Sequence, residues 1–354
     1  MDRRQHMALP WGGMLWAGVL ALWAVAGPAD RRAGGDPASA RAPDAARAAL
    51  RAALRRCPHR IVYESRRGDN WELIAVRADG SGPVNLTSTS GTDELYPHAS
   101  PDGARICFVA DEGAGRARTR SVHVMHADGT GRKLIARDAR QPCWHPRGGA
   151  VAYMKGEFER FTLKDFATKG LWVHDLKTGR ARPHPNRGLH HLYNVGFSPD
   201  GKWVVATVHG GMGHKHANLA IEADGDGVFP LGPVRGCRPD VSPDGRRVVW
   251  NASDQVIAVA DLLLTSRPPK AANVRKLVTC AKTHEVYHAD WSPDGRFVAF
   301  AHGPKGGEMV GQVAAGWNIA VADASKRNVW VPITTDGASN KEPDWLAAPR
   351  GRKR

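Results

Sequence analysis

One tetrapeptide recurs along this chain and restricts its fold more than any other feature. Ser-Pro-Asp-Gly stands at residues 100–103, 198–201, 242–245 and 292–295, and a degenerate copy, His145-Pro146-Arg147-Gly148, fills the one wide gap. Ser suits the first position of a type I turn, Pro pre-sets the second, and Gly takes the last. The five prolines are spaced by 45, 53, 44 and 50 residues. Repetition at that period predicts an array of one supersecondary unit, with the length differences placed in loops.

Short apolar runs flank each turn. Ala289-Asp290-Trp291 precedes the last copy and Arg296 to Phe300 follows it, while Arg246 to Trp250 follows the third. Two strands joined by such a turn form a hairpin. A second hairpin follows, often through Asp-Gly: Val122–Met125 with Lys133–Ile135 around Asp128-Gly129, and Leu73–Val76 with Val84–Thr87 around Asp79-Gly80. Each unit is therefore four strands, A to D, the composition of a propeller blade. Phe197 and Trp291 place an aromatic residue directly before Ser-Pro-Asp-Gly. In these features the chain resembles the TolB-type, WD40-like propeller repeats over about residues 59–349. That resemblance implies an all-β propeller and carries no activity with it. Proteins called TolB carry an α/β domain ahead of the propeller. Here a short spacer precedes the first blade, so the likeness is to the propeller part and TolB's partners are not carried over.

B strands starting near Arg60, Ala104, Ala150, Trp203, Arg246 and Arg296 give six blades. The first lacks an A strand of its own. Glu342-Pro343-Asp344-Trp345 matches His288-Ala289-Asp290-Trp291, so the C-terminal strand is expected to complete blade 1 and remove the ring's open edges.

Residues 1–26 read as an export segment: Asp2-Arg3-Arg4, then apolar Met7 to Ala26 with Ala24-Val25-Ala26 as a small-x-small cleavage site. Left uncut, those residues make a membrane anchor. Either way the propeller is expected outside the cytoplasm, in the periplasm or cell envelope. Residues 27–58 form an Ala/Arg/Pro-rich spacer in which Ala45–Leu54 is either a short basic helix or unstructured. The formal charge of +15 is concentrated at the ends: residues 1–60 carry ten Arg against four Asp, and residues 350–354 add four cations. Basic ends on an exported protein suit an anionic membrane surface or a polyanionic envelope polymer better than nucleic acid, for which no recognition motif is present. Five cysteines, Cys57, Cys107, Cys143, Cys237 and Cys280, show no disulfide or zinc spacing.

Aligned on their turns, the six A strands predict a polar ring around the central channel. Five positions before the proline stand Tyr96, Gln141, Asn194, Arg238 and His288, with Glu342 as the sixth. His98, Asp240, Asp290 and Asp344 are polar neighbours two residues further on. A ring of convergent polar groups is a candidate ligand site, against the plainer reading of a solvated channel wall. His190, His191, His209, His214 and His216 fall on strand ends and a B–C loop expected to share one face with His288. They are candidate ligands for a divalent metal, against the reading of loop histidines bonded to backbone. The longest B–C loops, Lys155–Gly170 and Gly303–Gly316, are candidate specificity elements, the first with Phe158, Arg160, Phe161, Lys164, Asp165 and Phe166.

The leading reading is a monomeric, exported, non-catalytic module binding a protein or envelope polymer. One rival is a metal-dependent lyase, with Arg238 holding an acidic saccharide and His288 as general base. Another is a structural envelope scaffold. No Gly-x-Ser-x-Gly hydrolase elbow occurs.

Overall fold

A computed structural model describes residues 44–156, 164 and 166–349. Six four-stranded antiparallel sheets follow one another around a ring. The A strands of blades 1 to 6 are Asn340–Leu346, Thr92–Ala99, Ala139–Trp144, Leu192–Phe197, Cys237–Val241 and His284–Trp291. The expected closure is present. Asn340–Leu346 pairs antiparallel with Arg60–Arg67, so blade 1 is built from both ends of the ring. The B strands start at Arg60, Arg105, Ala150, Trp203, Arg247 and Phe297, within a residue of their sequence-based positions.

The repeated turn is held by its own side chains. In each full copy the Ser hydroxyl donates to the Asp carboxylate two residues on, at 2.5–2.7 Å. The same hydroxyl accepts the first B-strand N–H, at 2.9–3.1 Å. The closing Gly lies at φ between +66° and +73°, where a side chain is strained. At Gly103 a Cβ would also fall 1.9 Å from the Ala347 carbonyl, so this turn is pressed against the closing strand.

Alternation along the strands sends successive side chains to opposite faces. Ile61 and Tyr63 pack towards blade 6, whereas Val62 packs towards blade 2. Each of the six blade-to-blade seams accordingly has its own apolar core. The region expected as spacer ends in a helix, Asp44–Arg55. Its Leu50 and Leu54 are buried in the seam between blades 6 and 1, against Phe297, Val331 and Trp345. Burying each leucine is worth about 1.5–3 kcal/mol, enough to hold a short helix that is marginal in isolation.

Candidate functional site

The six predicted ring residues share an unusual backbone. Tyr96, Gln141, Asn194, Arg238, His288 and Glu342 all lie in the left-handed region, at φ between +46° and +60°. The A–B pairing skips register at the same place in every blade. Each A strand therefore carries a bulge, a device that re-aims side chains and costs on the order of 1 kcal/mol or more per left-handed residue. Three B-strand side chains outside the predicted site, and Gln141 of the ring itself, satisfy bulge N–H groups. Glu64 accepts from Tyr96 at 3.1 Å, Thr207 from Arg238 at 2.8 Å and Asn251 from His288 at 3.1 Å, while Gln141 Oε1 accepts from Asn194 at 2.7 Å. Their signal in the sequence is a polar residue interrupting an apolar B strand, as in Val205-Ala206-Thr207-Val208.

The bulges turn the ring into a plug rather than an open mouth. Tyr96, Gln141, Arg238 and His288 are buried. Glu342 Oε1 lies 2.9 Å from Arg238 Nη1 and 2.6 Å from His288 Nδ1. Burial pushes the Glu342 carboxyl up, but His288 and Arg238 outweigh it and hold it below its ordinary value. His288 is pulled down, chiefly by its own burial. The blade 6 B–C segment, one of the expected specificity loops, lies over this cluster. Its Glu308 carbonyl is 3.2 Å from His288 Nε2, and Lys341 Nζ donates to the carbonyls of Met309 at 2.8 Å and Gln312 at 2.7 Å. Lys341 is fully buried between Trp71 and Trp317. In the blade 3 loop, residues 157–163 and 165, including Phe158, Arg160, Phe161 and Asp165, lie outside the described residues.

The wide opening is on the opposite side, among the Ser-Pro-Asp-Gly turns. There a funnel of about 590 Å³ is rimmed by Pro101, Pro146, Pro199, Pro243 and Pro293. Its floor holds His98, Asp240, Asp290 and Asp344, and a narrow axial cavity of about 70 Å³ continues from those four residues to the ring. Tyr96, Gln141, Asn194, His288 and Glu342 line this inner cavity, one layer below the funnel floor.

The three aspartates link successive blades. Asp240 accepts the Trp291 N–H at 2.8 Å, Asp290 that of Trp345 at 3.3 Å and Asp344 that of Ala99 at 2.9 Å. The equivalent positions in blades 3 and 4 are Cys143 and Gly196. Acidity is thus confined to the half of the floor formed by blades 5, 6 and 1, with His98 Nε2 at its end, 3.9 Å from Asp344. Burial pushes all three carboxyls up, Asp240 to about 7, and for Asp290 the charges of Asp344 and Asp240 add to it. Carboxylates held this way gain from a cation at the cavity.

The histidines of blade 4 do come together, as an aromatic cluster. His209 and His216 rings are 5.4 Å apart, His190 and His191 are 5.1 Å apart, and Phe166 stacks on His209 at 4.4 Å. His190 Nδ1 meets the Gly188 carbonyl at 2.7 Å while its Nε2 accepts the Met212 N–H at 3.3 Å. His191 Nδ1 bonds the Gly210 carbonyl at 2.9 Å and His216 Nε2 lies 3.1 Å from the Tyr193 hydroxyl. His214 sits at the tip of the B–C hairpin, opposite Gly211. Among the described residues no three His, Cys, Asp or Glu side chains converge as a metal-holding group.

No protein-family model and no curated protein matches the chain. Solved structures share its fold. TolB from Acinetobacter baumannii superposes with a TM-score of 0.60 at 18% identity, over 81% of this chain and 66% of that one, so the chain spans just under two thirds of that protein. A putative TolB from Agrobacterium tumefaciens gives 0.53 at 17% identity, over 80% of this chain and 91% of that one. Hydrazine synthase of Kuenenia stuttgartiensis gives 0.58 at 11% identity, over 82% of this chain and 47% of that one. The ring is a TolB-like six-bladed propeller. One fold serving proteins this different leaves function to the site.

Proposed function

We propose that this chain is an exported binding module whose turn-side funnel receives a protruding, cation-bearing segment of a partner protein. One observation carries the reading: three interlinked aspartates form the floor of the only wide cavity on the channel axis among the described residues. A lysine or arginine side chain reaching that floor would stabilise carboxylates that burial disfavours, while the proline rim supplies apolar contact for the flanking backbone. The apolar Met7–Ala26 segment after Asp2-Arg3-Arg4 supports export. The acidic-saccharide reading is less well supported, since Arg238 is buried and paired with Glu342, and the floor of the open funnel carries carboxyl groups and no Arg or Lys.

The test is fluorescence-anisotropy titration with labelled ten-residue peptides, basic, neutral and acidic, alongside acidic oligosaccharides. Basic peptides should bind at least tenfold more tightly than acidic ones, and the D240N/D290N/D344N variant should lose that preference. Preferential binding of the acidic oligosaccharides would restore the lyase reading. Silence of every probe, together with full function of the triple variant in the cell, would favour a scaffold.

A further inference from the structure

Gly196 holds the place in blade 4 that the aspartates hold in blades 5, 6 and 1. It pairs with Val205 as Asp240 pairs with Val249 and Asp290 with Ala299. It borders both the funnel and the axial cavity beneath the funnel. Its backbone does not call for glycine. Its φ lies outside the left-handed region, and a Cβ built on it would meet no atom within 4 Å beyond its chain neighbours. In blade 3 the equivalent Cys143 side chain is fully buried. The floor is therefore notched on the side of blades 3 and 4.

The walls of the notch are apolar and fixed. Phe197, Trp144, Pro146 and Pro199 border the funnel there. The Phe197 ring is met edge-on by His145 at 5.0 Å. Trp144 Nε1 donates to the His98 carbonyl at 2.9 Å, and Arg105 stacks over the indole at 4.7 Å. Among the described residues no Asp, Glu, Lys or Arg of blades 3 and 4 borders either space. Blade 4 stands opposite blade 1 in the ring, so the notch faces Asp344 across the axis.

We infer that the Gly196 notch is an apolar subsite of the funnel, taking a leucine-sized side chain next in sequence to the cation received by the acid floor. This rests on the funnel reading above and adds the residue class that must flank the cation. An extended segment running down the axis sends successive side chains to opposite walls. A cation turned towards Asp290 and Asp344 therefore has its sequence neighbours turned towards Gly196. An apolar side chain there exchanges water for Phe197 and the prolines, and no carboxyl is desolvated by it.

The test is fluorescence anisotropy with labelled, end-blocked peptides that are uncharged apart from one central arginine. Their centres are Gly-Arg-Gly, Leu-Arg-Leu and Leu-Gly-Arg-Gly-Leu, and a second series has Gln in place of Arg. Leu-Arg-Leu should bind wild type about fivefold more tightly than Gly-Arg-Gly, the gain expected from partly burying one leucine. The spaced peptide should lose that gain. Gly196→Leu fills the notch and should abolish the gain while leaving the preference for Arg over Gln. Melting temperature is checked alongside, and if Gly196→Leu does not fold, Gly196→Ala should at least halve the gain. Equal affinity for Leu-Arg-Leu and Gly-Arg-Gly in wild type, or a gain untouched by either substitution, overturns the subsite. An equal gain from the spaced peptide overturns the placing of cation and leucine on opposite walls. A floor that takes no cation shows itself differently, as equal binding of the Arg and Gln series. The leucine gain in the Gln series then still decides for or against the notch.

Discussion

Asp240, Asp290 and Asp344 each serve two ends: their carboxylates tie one blade to the N–H of the next, and they face a cavity that burial makes unfavourable for their charge. Their pKa values are raised above the ordinary 3.8, that of Asp240 to about 7. At Asp240 the folded state therefore binds more protons than the unfolded chain between about pH 4 and pH 7. The stability this carboxyl confers is complete below that window and is lost as pH rises through it. Asp290 and Asp344 shift in the same direction. D290N keeps an acceptor for the Trp345 N–H and removes the charge. It should be more stable than wild type at pH 8, with little difference at pH 4. Thermal melts at the two pH values check this, and destabilisation at pH 8 would contradict it. These residues were visible in the sequence as polar neighbours of the ring, because both positions fall at fixed distances from the turn. Which set reaches solvent was not visible. It depends on a left-handed bulge at residues as different as Tyr96, Arg238 and Glu342, and no side-chain preference of those types announces it.

At the scale of the element, the Ser-Pro-Asp-Gly turn was readable in detail because its chemistry is local. The same Ser, Asp and Gly groups make the same bonds in all four full copies. Ser242→Ala removes the bond to Asp244 and leaves the Arg247 N–H without its hydroxyl acceptor, and should cost about 1–2 kcal/mol in chemical denaturation. Gly103→Ala should cost more than Ser242→Ala, since it combines left-handed strain with collision against Ala347. Equal or smaller loss at Gly103 would count against the packing described. The helix was the opposite case. Its apolar face, Ala46, Leu50, Ala53, Leu54 and Cys57, does recur at helical spacing, but it is narrow and mostly small residues, and the seam that takes in Leu50 and Leu54 fixes the helix.

The whole molecule depends on a closure that its sequence betrays through one match, Trp345 with Trp291. Trp345, within the strand that completes blade 1, is buried in the seam between blades 6 and 1. Trp345→Ala should cost about 3–5 kcal/mol. Deleting Asn340–Leu346 should leave blade 1 with an open edge, seen as loss of a cooperative melt and as self-association in sedimentation. The proposed binding of a cationic partner rests on the acid floor, and one titration tests it most directly. A peptide bearing a single arginine is titrated into wild type and D240N/D290N/D344N by calorimetry at pH 5.5 and pH 8.5. The Asp240 carboxyl is deprotonated above about pH 7, so wild-type affinity should rise with pH, with proton release on binding. The triple variant should bind weakly at both. Affinity that ignores pH, or survives in the triple variant, would contradict a funnel built for a cationic partner.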